Sequence, residues 1–125
     1  MFLGIDLGTS GVKAILLDAG GNLAAQASAP LEVSRPQPLW SEQAPADWWQ
    51  AADAAVRGLP AGLRAGVQGI GLGGQMHGAG RLGADDAVLR PAILWNDGRA
   101  HAECAELEAA EPQARAITGN LAMPG

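Results

Sequence analysis

Asp6 is the residue whose surroundings most suggest chemistry, because it interrupts an apolar run and a turn of small polar residues follows it. A carboxylate among apolar residues is seldom buried unless it is paired or binds a metal, and the sequence predicts a buried Asp6. Mg²⁺ keeps much of its hydration shell, so Asp6 could hold it through water. The turn and Lys13, the only lysine, could hold and neutralise a nucleotide phosphate. The residues predicted for this phosphate site are Gly8, Thr9, Ser10, Gly11 and Lys13.

Two later segments carry side chains suited to a polyhydroxy ligand. In residues 73–78, Gln75 and His77 offer hydrogen-bonding groups beside glycines, and Met76 could pack on the carbon face of a sugar. Residues 94–99 offer an indole for stacking, two polar side chains for hydroxyl groups and a guanidinium for a carboxylate or phosphate. The four residues concerned are Trp95, Asn96, Asp97 and Arg99.

Each of these segments also has a purely structural interpretation. Asp6 could face solvent in an ordinary hairpin, and His77 could be a surface residue of a turn. Asn96 or Asp97 could cap the helix that follows, with Trp95 as a packing residue. The residues alone leave these alternatives open.

Other polar and aromatic residues are predicted to be structural. Ser41 or Asp47 could cap a helix, and at least one residue of the pair Trp48–Trp49 should pack that helix onto the sheet. His101 and Cys104 have no matching ligands nearby in the sequence, so we expect no metal site there.

The composition narrows the class of protein. A chain of 125 residues with 48% hydrophobic residues has room for one domain with a core, and a net charge of −5 argues against nucleic-acid binding. Cys104 is the single cysteine and fits a reducing, cytoplasmic compartment. No leader-like or membrane-spanning apolar run is present, so a membrane partner is not expected.

The elements that must position these side chains follow from hydrophobic periodicity. We predict an antiparallel meander of three strands over residues 3–7, 12–17 and 23–28, a helix from Pro45 to about Gly58, and a strand over 67–72. A short hairpin over 81–89, a loop over 91–98 and a helix over about 99–110 complete the prediction. The fold class is therefore α/β with a mixed sheet. Because the glycine-rich turn joins two strands, the pattern is neither a dinucleotide-binding fold nor a P-loop.

These motifs together resemble the N-terminal portion of the FGGY carbohydrate kinases, within the actin/Hsp70/sugar-kinase ATPase superfamily. The resemblance lies in residues 4–13, 34–43, 74–78, 89–99, 117–121 and 123–125, and so spans nearly the whole chain. The motif Asp-x-Gly-Thr-Ser is shared across the superfamily. Gln-Met-His-Gly and Trp-Asn-Asp-Gly-Arg are more specific and are similar to the branch that phosphorylates xylulose.

The resemblance implies a fold, a reaction and roles for the motif residues. The fold would be ribonuclease-H-like, and residues 1–125 would form an incomplete N-terminal part of the first kinase domain. The reaction would be phosphorylation of D-xylulose at its terminal hydroxyl by ATP with Mg²⁺. Asp6 would serve the magnesium and phosphate region and matter for activity, with Thr9, Ser10 and Lys13 on the phosphate side. Met76 and His77 would match the sugar-binding dipeptide, with Trp95, Asn96, Asp97 and Arg99 near the sugar.

The resemblance also leaves several expectations and alternatives. The general-base aspartate of such kinases would come from a later part of the chain, so we expect residues 1–125 alone to be inactive and the sheet to have an open face or edge. The intact enzyme could form a homodimer. The alternatives are a kinase for glycerol, gluconate or ribulose, a non-catalytic nucleotide- or sugar-binding member of the superfamily, and a structural half-domain without binding activity. Gln-Met-His-Gly argues against glycerol.

Overall fold

The computed structural model describes all residues from Met1 to Gly125 and divides into two compact units. The first unit combines Met1–Val33 with Ala44–Met76, and the second combines Ser34–Gln43 with His77–Gly125. The elements in chain order are β1 (Phe2–Leu7), β2 (Gly11–Leu17), β3 (Leu23–Pro30), β4 (Glu42–Gln43), α1 (Pro45–Arg57), α2 (Ala61–Arg64), β5 (Gly69–Gly74), β6 (Ala92–Ile93), α3 (His101–Ala110) and α4 (Ala114–Thr118).

The first unit contains a four-stranded mixed sheet in the order β3-β2-β1-β5. The predicted meander is confirmed, since β1 pairs antiparallel with β2 and β2 pairs antiparallel with β3. Strand β5 then adds to β1 in the parallel direction, because α1 carries the chain back across one face of the sheet. This register sets Asp6 beside Lys13 of β2 on one side and beside Gly73 of β5 on the other.

The core lies between α1 and one face of the sheet. Alternate strand residues point to this face, and Val12, Ala14 and Leu16 are at most 1% exposed. Small residues of α1, Ala51 and Ala55, let the helix approach closely. The partly buried residues around this core include Trp48, which confirms that one of the paired tryptophans packs the helix onto the sheet.

The outer part of the same sheet face is open. Strand β5 lies at the edge of the sheet, and its apolar residues Ile70 and Leu72 are 64% and 80% exposed. They share a face with Leu3 and Ile5 of β1, but α1 lies mainly over β2 and β3. The expected open face and edge are therefore present.

Several expectations about local structure were wrong in detail. Strand β5 begins at Gly69 rather than at residue 67, since Gln68 is used in a hydrogen bond from its N–H to the Met1 carbonyl before the ladder starts. Helix α1 has Ala44 at its N-cap with no side-chain bond, so neither Ser41 nor Asp47 caps it. Pro45 at the first helical position needs no donor partner there, which reduces the need for a cap.

The second unit contains short elements that the sequence did not predict, namely β4, β6 and α4. The predicted short hairpin over 81–89 is confirmed: Leu82 and Val88 form an antiparallel bridge, and the Leu89 N–H donates to the Arg81 carbonyl over 3.1 Å. The predicted loop over 91–98 contains β6, which pairs antiparallel with β4. A two-residue strand is too short for periodicity to reveal it. Helix α3 starts at His101, two residues later than the predicted residue 99. None of the helices combines the length and the apolar character that a transmembrane segment needs.

Candidate functional site

The turn between β1 and β2 forms the floor of the predicted phosphate site. The Gly8 N–H donates to the Gly11 carbonyl over 3.0 Å, which closes the turn tightly. A cavity of about 470 Å³ opens beside it in the first unit. Its lining combines a carboxylate, an ammonium group, hydroxyls and glycine backbone, contributed among others by Asp6, Gly8, Ser10, Gly11, Lys13 and Ser28.

Asp6 is exposed, so the prediction that it is buried was wrong. The apolar neighbours in its sequence, Ile5 and Leu7, point to the opposite face of the strand and belong to the core surroundings. The neighbouring residue on β5 is a glycine, and a Cβ at Gly73 would lie 3.8 Å from Asp6 Oδ1. The carboxylate is therefore accessible from the cavity and from the β5 side.

The phosphate-side residues fit a magnesium-bound phosphate by their chemistry. Hydroxyl and backbone donors suit phosphate oxygens, Lys13 supplies a positive charge, and Asp6 is a hard oxygen ligand of the kind that Mg²⁺ prefers. The turn needs glycine at Gly11, because a Cβ there would lie 2.8 Å from the Ala29 carbonyl oxygen, which is too close. Asp6 is the only carboxylate lining this cavity, which suits a metal held mainly by phosphate and water.

Gln75 connects the end of β5 to the phosphate turn. Its N–H donates to the Leu7 carbonyl over 2.8 Å, and its Oε1 accepts a hydrogen bond of 3.0 Å from the Thr9 hydroxyl. The sequence assigned Thr9 to phosphate and Gln75 to the sugar as independent residues. The structure instead joins the two side chains by a hydrogen bond.

Met76 and His77 follow at the boundary of the two units. Met76 is 71% exposed and ends the first unit, whereas His77 is exposed and begins the second. His77 adopts a φ of 63°, a left-handed conformation that is uncommon outside glycine. Such strain is concentrated at functional sites.

The segment 94–97 is a tight turn that presents two side chains to solvent. The Asp97 N–H donates to the Leu94 carbonyl over 3.0 Å, and these two end residues are 2% and 1% exposed. Trp95, at 49% exposure, and the exposed Asn96 occupy the corner of the turn. The turn is therefore anchored at both ends and displays an indole and an amide between them.

Asp97 and Arg99 are used within the protein itself. The Asp97 carboxylate accepts four hydrogen bonds, from the Ser41 N–H, the Arg99 N–H, Arg99 Nε and Arg99 Nη2. The Arg99 side chain lowers the pKa of Asp97 to about 2, with the two backbone N–H groups acting in the same direction against the cost of burial. Asp97 raises the pKa of Arg99 in return. Neither Asn96 nor Asp97 caps α3, whose N-cap is Ala100 with no side-chain bond.

Glu42 and Trp40 complete this cluster; they lie in the segment 34–43, to which the sequence analysis gave no binding role. Arg99 Nη1 lies 2.8 Å from Glu42 Oε1, and the Arg99 guanidinium carbon lies 3.7 Å from the centre of the Trp40 ring. Arg90 Nη2 also lies 2.8 Å from Glu42 Oε1. The signal in the sequence was weak: Arg90 and Arg99 bound a mostly apolar segment in which Asp97 is the single acid.

A second cavity lies beside this cluster, within the second unit. It has a volume of about 500 Å³ and is lined by residues 35–41 together with Asn96. The Ser41 hydroxyl is buried without a hydrogen-bond partner. Leu39, which also lines the cavity, adopts a φ of 68°. The cavity places polar and aromatic groups next to the Trp95 turn.

Comparison with known proteins identifies the family of this chain. Residues 1–125 match the N-terminal domain of the FGGY family of carbohydrate kinases. The chain belongs to this family of sugar kinases, and its α/β fold is that of the sugar-kinase, ribonuclease-H-like superfamily.

Individual relatives are xylulose kinases. The chain is 58% identical over 126 residues to the xylulose kinase of Escherichia coli K12, covering 100% of this chain and 26% of that protein. The crystal structure of a xyloylose kinase from Brucella ovis is 54% identical with a TM-score of 0.93, over 98% of this chain and 26% of that one. A xylulose kinase structure from Rhodospirillum rubrum is 38% identical with a TM-score of 0.79, over 86% and 23%. The chain thus spans about a quarter of the length of the relatives it matches.

Proposed function

We propose that this chain provides the phosphate-side turn and part of the sugar site of a kinase that phosphorylates D-xylulose with ATP and Mg²⁺, giving xylulose 5-phosphate. The observation that carries the proposal is the 58% identity to a xylulose kinase along the full chain. The polar segments 73–78 and 94–99 both lie within this match. The cavity beside Asp6 is lined by hydroxyl, ammonium and backbone donors of the kind that bind phosphate.

In this proposal the β1–β2 turn holds the phosphate end of the nucleotide. Bound ATP with Mg²⁺ would supply the phosphoryl group that is transferred to the sugar oxygen, with ADP as the leaving group. Ser10 and the backbone of the turn donate hydrogen bonds, and Lys13 stabilises negative charge. Asp6 is exposed, and its carboxylate would hold Mg²⁺ through water.

We assign sugar-binding roles to Gln75 and Met76 of the first unit and, separately, to His77 and the Trp95 turn of the second unit. Trp95 stacks on the carbon face of the sugar, and Asn96 and His77 donate to or accept from its hydroxyl groups. Gln75 keeps its bond to Thr9 and sets the position of the segment that follows it. Asp97 and Arg99, which the sequence assigned to the sugar, instead hold the turn through their mutual ion pair.

A substrate panel tests this proposal against the other sugar kinases. The full-length gene product that contains this chain is incubated with ATP, Mg²⁺ and one of D-xylulose, D-ribulose, gluconate or glycerol, and ADP release is measured. We expect kcat/KM to be highest for D-xylulose. A higher value for another sugar would reassign the substrate, and ADP release with none of them would support a non-catalytic member of the family.

A further inference from the structure

We propose that Glu42 is a positioning residue for the sugar site, which acts through Arg99 on the Trp95–Asn96 turn without touching the sugar. The inference rests on the proposed function, since it assigns this turn to D-xylulose. Glu42 lies outside every segment that the sequence analysis assigned to binding.

Glu42 and Asp97 hold the guanidinium of Arg99 between two carboxylates. Arg99 Nη2 lies 2.6 Å from Asp97 Oδ2, and Nη1 lies 2.8 Å from Glu42 Oε1. The side chains of Arg99, Glu42 and Asp97 are 13%, 9% and 0% exposed. Arg99 Nη1 is buried and has no hydrogen bond of good geometry, so the charge of Glu42 is what compensates it.

Backbone hydrogen bonds join the segment that carries Glu42 to the turn. The Leu94 N–H donates to the Ser41 carbonyl over 2.9 Å, and the Gly98 N–H donates to the Leu39 carbonyl over 2.7 Å. Glu42 itself pairs with Ile93 in the two-stranded sheet. Both ends of the turn are therefore bonded to Ser41, the residue before Glu42, since the Ser41 N–H also donates to Asp97.

Loss of the Glu42 charge loosens the turn. The carboxylate also pairs with Arg90, so its neutralisation leaves two guanidinium groups with one remaining acid, Asp97. Arg99 then moves toward solvent or draws Asp97 with it, and Asp97 is the end residue of the turn. Trp95 and Asn96 lose their fixed position, which weakens sugar binding and leaves the phosphate turn in the first unit unchanged.

The test uses Glu42→Gln in the full-length gene product, with Asp53→Asn as the matched control. Asp53 is also paired with an arginine, Arg57, but this pair is exposed on α1. We expect the KM for D-xylulose to rise about tenfold in Glu42→Gln, with the KM for ATP and kcat changed by less than about threefold. Glu42→Asp, which keeps the charge, should recover part of this loss. Asp53→Asn should leave all three constants unchanged.

A second measurement separates this inference from the proposed function. Hydrogen exchange of the amides in residues 94–99 should be faster in Glu42→Gln than in the wild type, whichever sugar is the substrate. Unchanged exchange, or an unchanged KM for D-xylulose, would overturn the positioning role. An inactive wild type would overturn the proposed function instead. If Glu42→Gln does not fold, Arg99→Lys carries the test, because a lysine cannot bridge Asp97 and Glu42 as the planar guanidinium does. A wild-type KM with wild-type exchange in that variant would overturn the role.

Discussion

Replacement of Asp97 by asparagine should loosen the Trp95 turn strongly, because this carboxylate accepts four hydrogen bonds in a buried position. Lowering the Asp97 pKa from 3.8 to about 2 corresponds to about 2 kcal/mol in favour of the ionised form. Removing one partner of a buried ion pair costs about 3–5 kcal/mol, and the lower end applies here because Arg99 keeps Glu42 as a partner. We therefore expect the free energy of local opening to fall by about 3 kcal/mol, which is about a hundredfold in the opening equilibrium.

The assay is hydrogen exchange at the two amides that donate to Asp97. The N–H groups of Ser41 and Arg99 should exchange about a hundredfold faster in Asp97→Asn than in the wild type. Asp85→Asn is the control, because Asp85 accepts one backbone hydrogen bond from Ala87 in an exposed loop. Exchange of both amides within about threefold of the wild type would refute the reasoning that the carboxylate anchors the turn.

The same carboxylate predicts a pH dependence with a definite sign. Its pKa is lowered in the folded protein, so its stabilisation is fully present above the unfolded pKa of 3.8 and is lost as the pH falls through about 2. The protection of the Ser41 and Arg99 amides, corrected for the intrinsic exchange rate, should decrease in this window. Asp97→Asn should remove this decrease, and a decrease that persists in the variant would assign it to another group.

Three further substitutions test the two site segments. Gly11→Ala should lower the free energy of unfolding by about 1–3 kcal/mol in urea denaturation, because its Cβ would meet a β3 carbonyl oxygen at 2.8 Å, whereas Gly62→Ala, in open space, should not. Asp6→Asn should lower kcat about 10²-fold with an unchanged circular dichroism spectrum, since Asp6 is exposed; wild-type kcat would exclude its role. Trp95→Ala should raise the KM for D-xylulose about tenfold, and Trp49→Ala, also exposed, should not; equal effects would contradict stacking.

The sequence predicted the first unit well because its elements are long enough to show their period. Leu3, Ile5 and Leu7 alternate along β1, and Val12, Ala14 and Leu16 along β2, so the meander could be read without knowledge of the tertiary structure. The exposure of Asp6 could not be predicted in this way, because it depends on which strand lies beside β1. That neighbour is β5, which places a glycine beside Asp6 and whose position is fixed by a crossover through α1.

The second unit was harder to predict because long-range pairs hold it together. Asp97 and Arg99 were recognised as functional, but their use in an internal ion cluster depends on Glu42, more than fifty residues earlier. A two-residue strand such as β4 has no periodicity of its own, and its pairing with β6 appears only in the fold. The residue types at the site could therefore be predicted from the sequence. Which of them are exposed to solvent, as Trp95 and Asn96 are, and which hold the turn, as Asp97 and Arg99 do, could not.

The most direct test of the account is to identify the product formed by the full-length gene product from ATP and ¹³C-labelled D-xylulose. The account predicts D-xylulose phosphorylated on its terminal oxygen at C5, seen by NMR as carbon–phosphorus coupling at C5, with one ADP formed per sugar. It also predicts that Asp6→Asn slows this conversion without unfolding the protein. Phosphorylation at another carbon, or ADP formed without a phosphorylated sugar, would contradict the account.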